Sequence, residues 1–295
     1  MKLRIVLILG QAMLAALLMA SAHQALAGDV VKIVAAENFY GDLARQIGGS
    51  RVEVTSILAN PDQDPHLFES SPSTARTLAD ADIVIYNGAD YDPWMDRLLA
   101  AANVPSRTTI VAAELTGHRS GDNPHLWYDP TTFPVVAKSL VAALTQRDPA
   151  DAEEFRANLS TFNAAWKKVL DGVSAIRAAY AGVPVTATEP VFGYMASAMG
   201  LEMLNEGFQF ATMNETEPSA SDVAAFEASL RNGTAKILFY NSQVTDETTI
   251  RLLEIARASK VPVVGVSETQ PAGATIEDWF GAQIATVRSA LADHP

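Results

Sequence analysis

Apolar side chains recur along one face of the stretch from Asp148 to Ala181. The steps between them alternate between four and three residues, which is the period of a single apolar stripe on an α-helix. The stripe consists of Phe155, Leu159, Phe162, Trp166, Val169, Val173, Ile176 and Tyr180. Asp148 suits the N-cap and Pro149 the first helical position, and Gly182 follows the end. The pattern predicts one helix roughly 50 Å long, at ~1.5 Å per residue.

Short apolar runs alternate with helical patterns on both sides of this stretch. Strands are predicted at 30–35, 52–58, 82–86, 108–112, 183–188, 236–240 and 261–266, with a short strand near Leu201. The helices between them are predicted at 38–47, after Ser71-Pro72, and at 93–102, 131–145, 192–199, 219–231 with Ser219 as its cap, 246–259 and 275–291. Such alternation is typical of α/β structure with mostly parallel sheets. We therefore predict two similar lobes, 28–147 and 182–295, joined by one long rigid helix, 148–181. In such folds ligands bind beyond the carboxyl ends of the strands, which places the site in the cleft between the lobes.

A coiled coil is the alternative explanation of the apolar stripe. The stripe covers only about four heptads, and strand-rich sequence lies on both sides of it. These features favour a linking helix inside an α/β protein. One continuous helix also predicts little movement between the lobes, so that capture of a ligand would depend on the ordering of loops rather than on closure.

The first 27 residues form a separate pattern. Lys2 and Arg4 precede an apolar run, and Ala25-Leu26-Ala27 supplies the small residues of a cleavage site. We interpret residues 1–27 as a secretory signal peptide that is cut after Ala27. An uncleaved membrane anchor is the alternative. No later apolar run is long enough to span a bilayer.

Composition narrows the location and the chemistry. The chain of 295 residues contains no cysteine, which excludes disulfides, thiolate metal sites and a cysteine nucleophile. A bacterial lipoprotein also needs a cysteine at its cleavage site, so we predict a periplasmic protein without a lipid anchor. The formal net charge of −13 argues against nucleic acid and anionic membrane surfaces as partners.

Two histidines lie in matching local sequences. Asp64-Pro65-His66-Leu67-Phe68 and Asn123-Pro124-His125-Leu126-Trp127 both read proline, histidine, leucine, aromatic. The proline stiffens the backbone before each histidine, and the apolar pair after it can fix the loop onto a core. Each histidine alone could be an ordinary loop or core residue. Together, they predict a paired metal site in the first lobe.

Two glutamates follow predicted strands of the second lobe. Glu189 comes after the strand at 183–188, and Glu268 after the strand at 261–266. Glu189 could instead be placed favourably at a helix N-terminus, and Glu268 could be a solvated loop residue. Asp246 and Glu247 are rival carboxylates. Two imidazoles from one lobe and two carboxylates from the other would suit a first-row divalent cation.

These motifs resemble those of the zinc- and manganese-binding solute receptors of bacterial ABC importers, over nearly the whole chain after residue 27. The similarity is carried by Ala36-Glu37-Asn38-Phe39-Tyr40-Gly41, Asp64-Pro65-His66, Asn123-Pro124-His125-Leu126-Trp127-Tyr128-Asp129-Pro130, Phe192-Gly193-Tyr194 after Glu189, and Ser267-Glu268-Thr269. The family also has one long helix between two α/β lobes. The resemblance implies capture of a transported metal ion and its delivery to a membrane permease driven by an ATPase.

The resemblance makes His66, His125, Glu189 and Glu268 the metal ligands. Zinc-specialised members commonly have histidine at the third position and a long His-rich loop before the second motif. Here the third position is glutamate, as in manganese-type members, and the loop is short and holds only His118. The fourth ligand is often aspartate, and Glu268 is one methylene longer. Zn²⁺ or Mn²⁺ is thus the expected cargo, with no organic substrate and a monomeric receptor.

Two other functions compete with a metal receptor. A metal-dependent hydrolase would need an open coordination position and a general base. The chain has no His-Glu-x-x-His pair, no Gly-x-Ser-x-Gly turn and no phosphate-binding Gly-x-x-x-x-Gly-Lys loop. An adhesin or scaffold with a vestigial metal site is the other alternative. We expect a receptor and no enzymatic activity.

Overall fold

Eight strands form two parallel sheets in the part of the chain that the computed structural model describes, residues 30–60, 68–244 and 246–293. The first sheet has the order β2-β1-β3-β4 and the second β6-β5-β7-β8. All pairings are parallel, for example Ile33 with Ile83 and Leu238 with Val263. The strands are β1 Val31–Glu37, β2 Val52–Leu58, β3 Ile83–Tyr86, β4 Thr108–Val111, β5 Pro184–Ala187, β6 Glu202–Leu204, β7 Leu238–Asn241 and β8 Val263–Val266. The prediction of two α/β lobes with parallel sheets is confirmed.

Five helices surround the first sheet and lead to the linking segment. They are α1 Asn38–Gly48, α2 Pro72–Ala79, α3 Pro93–Ala101, α4 Ala112–Thr116 and α5 Thr132–Arg147. Ser71 caps α2 through a capping box with Thr74, and Pro72 occupies its first turn, as the Ser-Pro pair predicts. The short helix α4 was not predicted.

The long helix, α6, runs from Ala152 to Tyr180 and follows a 3-10 turn at Pro149–Asp151. Asp148 stands at the N-cap of that turn but makes no side-chain capping bond, so the regular helix begins later than predicted. The stripe is confirmed: six of its eight residues are buried, and Leu159 and Tyr180 are partly buried against the same core. The helix is about 44 Å long at ~1.5 Å per residue.

Five helices belong to the second half: α7 Gly193–Ala198, α8 Glu206–Met213, α9 Ala220–Arg231, α10 Glu247–Ala258 and α11 Ile276–Asp293. Ser219 caps α9 by accepting from the backbone of Asp222, as its position predicts. Asp246 caps α10 in the same way. The sequence did not predict α8. The residue before it, Asn205, has a positive φ of 58° and makes no side-chain capping bond, so the usual N-cap signal is missing at this helix start.

The long helix joins the two lobes through packing as well as through the chain. Trp166 is 1% exposed and lies 5.3 Å from the ring of Phe133 on α5 and 5.4 Å from Phe280 on α11. Its indole N–H donates to the carbonyl of Pro130 at 2.9 Å. The hydrophobic cluster around it contains residues of both sheets, such as Ile85 and Phe239. One core therefore runs across the linking helix.

Within the described residues, no helix combines the length and the apolar character that a membrane span needs. The predicted signal peptide, residues 1–27, lies outside the described part of the chain. That prediction therefore rests on the sequence pattern alone.

Candidate metal centre

Three polar side chains meet at the carboxyl edge of the second sheet. Glu189 follows β5 by two residues, Glu268 follows β8 by two, and Asn241 is the last residue of β7. Because β7 lies between β5 and β8 in a parallel sheet, all three side chains emerge at one edge. Their exposed fractions are 8%, 0% and 1%, respectively. Two carboxylates are thus held together away from water.

Asn241 connects the two carboxylates. Its Nδ2 donates to Glu189 Oε2 at 2.8 Å and to Glu268 Oε1 at 2.6 Å. Its Oδ1 accepts from the backbone N–H of Gln243 at 3.0 Å, which fixes the orientation of the amide. The amide therefore directs its NH₂ group at the two glutamates.

His125 reaches the same place from the first lobe. It is 1% exposed, and its Nδ1 lies 2.7 Å from Asn123 Oδ1. The amide of Asn123 is oriented by its own Nδ2, which donates to the carbonyl of Pro190 at 2.8 Å. Its oxygen therefore faces the imidazole and accepts from Nδ1–H. This assigns the lone pair to Nε2, the arrangement expected of a histidine prepared to bind a metal.

The free lone pair of His125 points at Glu268. Nε2 lies 3.7 Å from Glu268 Oε2, too far for a hydrogen bond, and it has no hydrogen-bond partner among the described residues. Two ligands about 2.1 Å from one tetrahedral ion would lie about 3.4 Å apart. The pair therefore fits an ion between nitrogen and oxygen after a shift of a few tenths of an ångström.

The complete predicted ligand set is not contained in the described structure. His66 lies in 61–67, outside the described residues. Among the residues that are described, no three His, Asp or Glu side chains come close enough to hold one ion together. In the structure His125 faces Glu268, and Glu189 is linked to Glu268 by the hydrogen bonds that both accept from Asn241. The four-ligand site stays a prediction.

The rival residues have other roles. Asp246 accepts from the backbone N–H of Thr249 at 2.9 Å and from its hydroxyl at 2.6 Å, as the cap of α10. Glu247 is exposed in the first turn of that helix. His118 bonds through Nδ1 with the hydroxyl of Thr116 at 2.9 Å and packs against the ring of Tyr194. No described contact joins these three residues to His125 or Glu268.

Each lobe holds the ligand-bearing loop of the other. The loop of His125 is bound to the second lobe, since Tyr194 donates to the carbonyl of Asn123 at 2.8 Å and Asn123 donates to Pro190. The loop of Glu268 is bound to the first lobe: Tyr128 donates to the carbonyl of Ser267 at 2.9 Å. Asn38 also donates a hydrogen bond to the carbonyl of Gln270 at 2.8 Å and accepts one from the backbone N–H of Gln270 at 2.9 Å. Hydrogen bonds to the opposite lobe therefore hold both of these loops in place.

A buried pair of acidic side chains, which no sequence motif indicated as a pair, lies near the site. Glu37 ends β1 and is 0% exposed, and Asp92 is 1% exposed. Asp92 accepts from the backbone N–H groups of Asn87 and Gly88 at 2.7 and 2.8 Å. Burial, and then the charge of Asp92, raises the pKa of Glu37 well above its ordinary value. Burial also raises the pKa of Asp92 to about 6.

The raised pKa values of Glu37 and Asp92 favour one proton shared between the two acids. As carboxylates neither could donate to the other, and both Glu37 oxygens would be buried without a partner. A proton on Glu37 converts the contact into a hydrogen bond to ionised Asp92, which the two backbone N–H groups stabilise. Tyr91 lies nearby, and burial followed by the charges of Glu268 and Glu37 raises its pKa. Its ring also lies 6.1 Å from that of His125, so Tyr91 is close to the candidate metal centre.

Glu37→Gln should stabilise the protein increasingly as pH rises. A raised folded-state pKa means that Glu37 contributes most stability below about pH 4.5 and loses it as pH increases toward the folded pKa. The amide of the variant still donates to Asp92 but does not titrate. The stability advantage of the variant should grow by up to about 1.4 kcal/mol per pH unit above 4.5. Urea denaturation at pH 5, 6 and 7, with a chelator present, measures it.

Glu53 is a suitable control, because it is exposed on the neighbouring strand β2. Glu53→Gln should follow the wild-type pH dependence. Parallel stability curves for wild type and Glu37→Gln would contradict the assignment of a shared proton.

Comparison with known proteins gives consistent matches. A family model described as zinc-uptake complex component A, periplasmic, matches residues 33–290. The manganese ABC transporter substrate-binding lipoprotein PsaA of Streptococcus pneumoniae is 24% identical over 253 residues, covering 80% of this chain and 78% of its own. The metal ABC transporter substrate-binding lipoprotein FimA of Streptococcus parasanguinis is 24% identical over 251 residues, with 79% and 78% covered.

Solved structures share the fold. The periplasmic zinc-binding protein TroA from Treponema pallidum superposes with a TM-score of 0.72 at 20% identity, covering 90% of this chain and 99% of its own. A mutant, Mn-bound periplasmic metal-binding protein from Candidatus Liberibacter asiaticus gives a TM-score of 0.71 at 17% identity, with 88% and 99% covered. These likenesses are to almost complete chains, so they extend over both lobes and the helix between them.

Proposed function

Since this chain belongs to the zinc-uptake complex component A family of periplasmic receptors, we propose that it captures Zn²⁺ or Mn²⁺ for an ABC importer. The ion is held by His66, His125, Glu189 and Glu268, in the cleft between the lobes. The receptor then delivers it to a permease in the inner membrane, whose ATPase drives import. Relatives named as manganese and metal ABC transporter substrate-binding lipoproteins support this assignment.

One observation carries the proposal for the site. His125 Nε2 and Glu268 Oε2 face each other at 3.7 Å in a buried pocket, and Asn241 holds Glu189 beside them. Two carboxylates at such depth repel each other and lose their hydration. A divalent cation between them and a neutral imidazole removes both costs. The chemistry of the donors thus matches a metal ion better than an organic solute.

The donor set also separates a receptor from a hydrolase. Four protein ligands fill a tetrahedral coordination shell, whereas a catalytic zinc keeps one position for water. We therefore propose that the protein is a receptor and not an enzyme. Detectable hydrolysis of ester or peptide substrates by the metal-loaded protein would favour the hydrolase alternative instead.

Ligand type and intrinsic affinity favour different ions at this site. Carboxylate oxygens suit Mn²⁺ better than a third imidazole would, but intrinsic affinity favours Zn²⁺ over Mn²⁺ at any site of this type. Relatives include a protein named for manganese and one named for zinc. The physiological ion is therefore decided by the coordination number that the site imposes and by which ion is available.

We also propose that the mature receptor is a free monomer in the periplasm. The curated relatives are lipoproteins, but this chain has no cysteine to carry a lipid. The signal peptide predicted at residues 1–27 supports export, and the lack of cysteine supports the form without a lipid.

Metal content and competition test the proposed function. Protein purified without added metal should contain close to one equivalent of a first-row divalent ion by elemental analysis. Stripped protein should then bind Zn²⁺ and Mn²⁺ in competition for one site, below micromolar concentration. Failure to bind any divalent ion below micromolar would favour the scaffold alternative with a vestigial site.

A further inference from the structure

Asn87 directly follows β3 and is attached to the turn that carries His125. It is 0% exposed, and its Nδ2 donates to the carbonyl of Pro124 at 2.7 Å. That carbonyl belongs to the peptide that joins Pro124 to His125. The bond connects residues 37 positions apart, and no motif of the sequence indicated it. A side chain at the edge of the first sheet thus holds the backbone of a candidate metal ligand.

The amide of Asn87 has one orientation. Nδ2 faces the carbonyls of Pro124 and Gly88 at 2.7 and 2.9 Å, and a carbonyl can only accept. Oδ1 therefore accepts from the hydroxyl of Tyr40 at 3.0 Å. Burial raises the pKa of Tyr40 well above its ordinary value, so this hydroxyl keeps its proton and remains a donor. Asp92 accepts from the backbone N–H of Asn87 at 2.7 Å. The backbone and the side chain of Asn87 are therefore both fixed within the first lobe.

His125 is the central residue of a tight turn. The N–H of Leu126 donates to the carbonyl of Pro124 at 2.7 Å, and His125 has a φ of −76° and a ψ of 53°. This is the geometry of an inverse γ-turn. The backbone N–H of His125 also donates to Asn123 Oδ1 at 3.1 Å. In so short a turn, the orientation of the two flanking peptides sets the direction of the imidazole between them.

The bond from Asn87 is not needed to satisfy the carbonyl of Pro124. Leu126 already donates to that oxygen, so the carbonyl would keep a partner without Asn87. The second bond instead fixes the direction of the peptide that precedes His125. The imidazole faces Glu268 Oε2 at 3.7 Å, and a functional side chain has to be held within about 0.5 Å and 10–20° of its working geometry.

We propose that Asn87 is a positioning residue for metal capture, which holds the turn of His125 so that Nε2 faces Glu268. Asn123 acts on the imidazole itself, through Nδ1, whereas Asn87 acts on the backbone before it. This inference rests on the proposed receptor function. It depends neither on which ion is bound nor on how many ligands surround that ion.

Asn87→Ala should weaken the binding of both Zn²⁺ and Mn²⁺ by about tenfold, the lower end of the usual cost of losing an outer partner. Both ions should be affected, because each uses the same imidazole. Calorimetric titration of metal-stripped protein measures the two dissociation constants. Asn87→Ser, which leaves less empty volume, should give a loss in the same direction and serves if the alanine variant does not fold.

The imidazole of His125 supplies a readout that a merely structural role would not change. In metal-free wild type at about pH 8, where an ordinary imidazole is neutral, the ¹⁵N spectrum of His125 should show one tautomer with its proton on Nδ1. In the Asn87 variants the signals should broaden or report both tautomers, because the turn is no longer held in one orientation. The spectrum of His125→Ala identifies the signals.

Tyr86→Phe is the control at the same end of β3. The hydroxyl of Tyr86 donates to Asp96 at 2.7 Å, and no described hydrogen bond joins it to the turn of His125. The substitution removes a hydrogen bond from the first lobe without touching that turn. It should leave both dissociation constants and the signals of His125 at their wild-type values.

The outcomes separate this inference from the proposed function. If the wild type binds no divalent ion, the receptor assignment fails, and the role of Asn87 in metal capture fails with it. If the wild type binds metal and the Asn87 variants bind it equally well, the receptor assignment stands and the role of Asn87 is wrong. A weaker affinity with an unchanged spectrum of His125 would also overturn that role, since Asn87 would then act only on stability.

Discussion

His125→Ala should lower the affinity for Zn²⁺ and Mn²⁺ by more than about 100-fold, since even the loss of an outer partner typically costs about 10- to 100-fold. The substitution removes the imidazole whose Nε2 faces Glu268 Oε2 at 3.7 Å. The ion then loses one neutral ligand, and only the two buried carboxylates and His66 remain of the proposed set. Titration of metal-stripped protein with each ion, monitored by calorimetry, measures the change.

His118→Ala is the matched control for this prediction. His118 belongs to the same segment of the first lobe, but it bonds with Thr116 and packs on Tyr194. Its loss should leave both isotherms at the wild-type values. Identical binding by wild type and His125→Ala would show that the ion is held elsewhere.

Trp166→Ala should destabilise the whole protein by about 3–5 kcal/mol, the usual cost of deleting a buried tryptophan from a core. The side chain is 1% exposed and contacts aromatic rings on α5 and α11, and its N–H bond to Pro130 is lost with it. Because one core spans both sheets, we expect a single unfolding transition at a lower urea concentration. Circular dichroism and tryptophan fluorescence should report that transition together.

Leu170→Ala is the control on the same helix, because Leu170 is 37% exposed. It should cost well under the value for Trp166, since little surface is returned to water. Two separate transitions in Trp166→Ala would mean that the lobes fold independently. A loss below about 1 kcal/mol would mean that the long helix links the lobes without contributing to their core.

The periodic parts of the fold could be predicted from the sequence. The stripe on α6 and the capping residues Ser71 and Ser219 are local signals, and the structure contains each of them. Helix α8 was missed because its start depends on Asn205 in a left-handed conformation rather than on a side-chain cap. Local rules predict local structure, and they fail where tertiary contacts fix the backbone.

The site could be predicted only in part, for a related reason. The motifs around His125, Glu189 and Glu268 are recognisable in the sequence, and the structure brings His125 from the first lobe to Glu268 at the edge that also carries Glu189. Asn241 looks like a turn residue at the end of a strand, and its role depends on partners far away in the chain. Glu37 and Asp92 are 55 positions apart, and acidic side chains are rarely buried unless they are paired. The contacts of Asn241 with the two glutamates, and of Glu37 with Asp92, cannot be predicted until the order of the strands in each sheet is known.

The hydrogen bonds that cross between the lobes have a consequence for how long an ion stays bound. The loops of His125 and Glu268 are each held by the opposite lobe, through Tyr194, Asn123, Tyr128 and the Asn38–Gln270 pair. Parting the lobes would break all five bonds, at a net cost of about 0.5–1.5 kcal/mol each. If the ion is held at the proposed site, these contacts should slow its dissociation from the isolated receptor. Rapid unloading then requires the membrane permease to compensate for those bonds when the receptor docks.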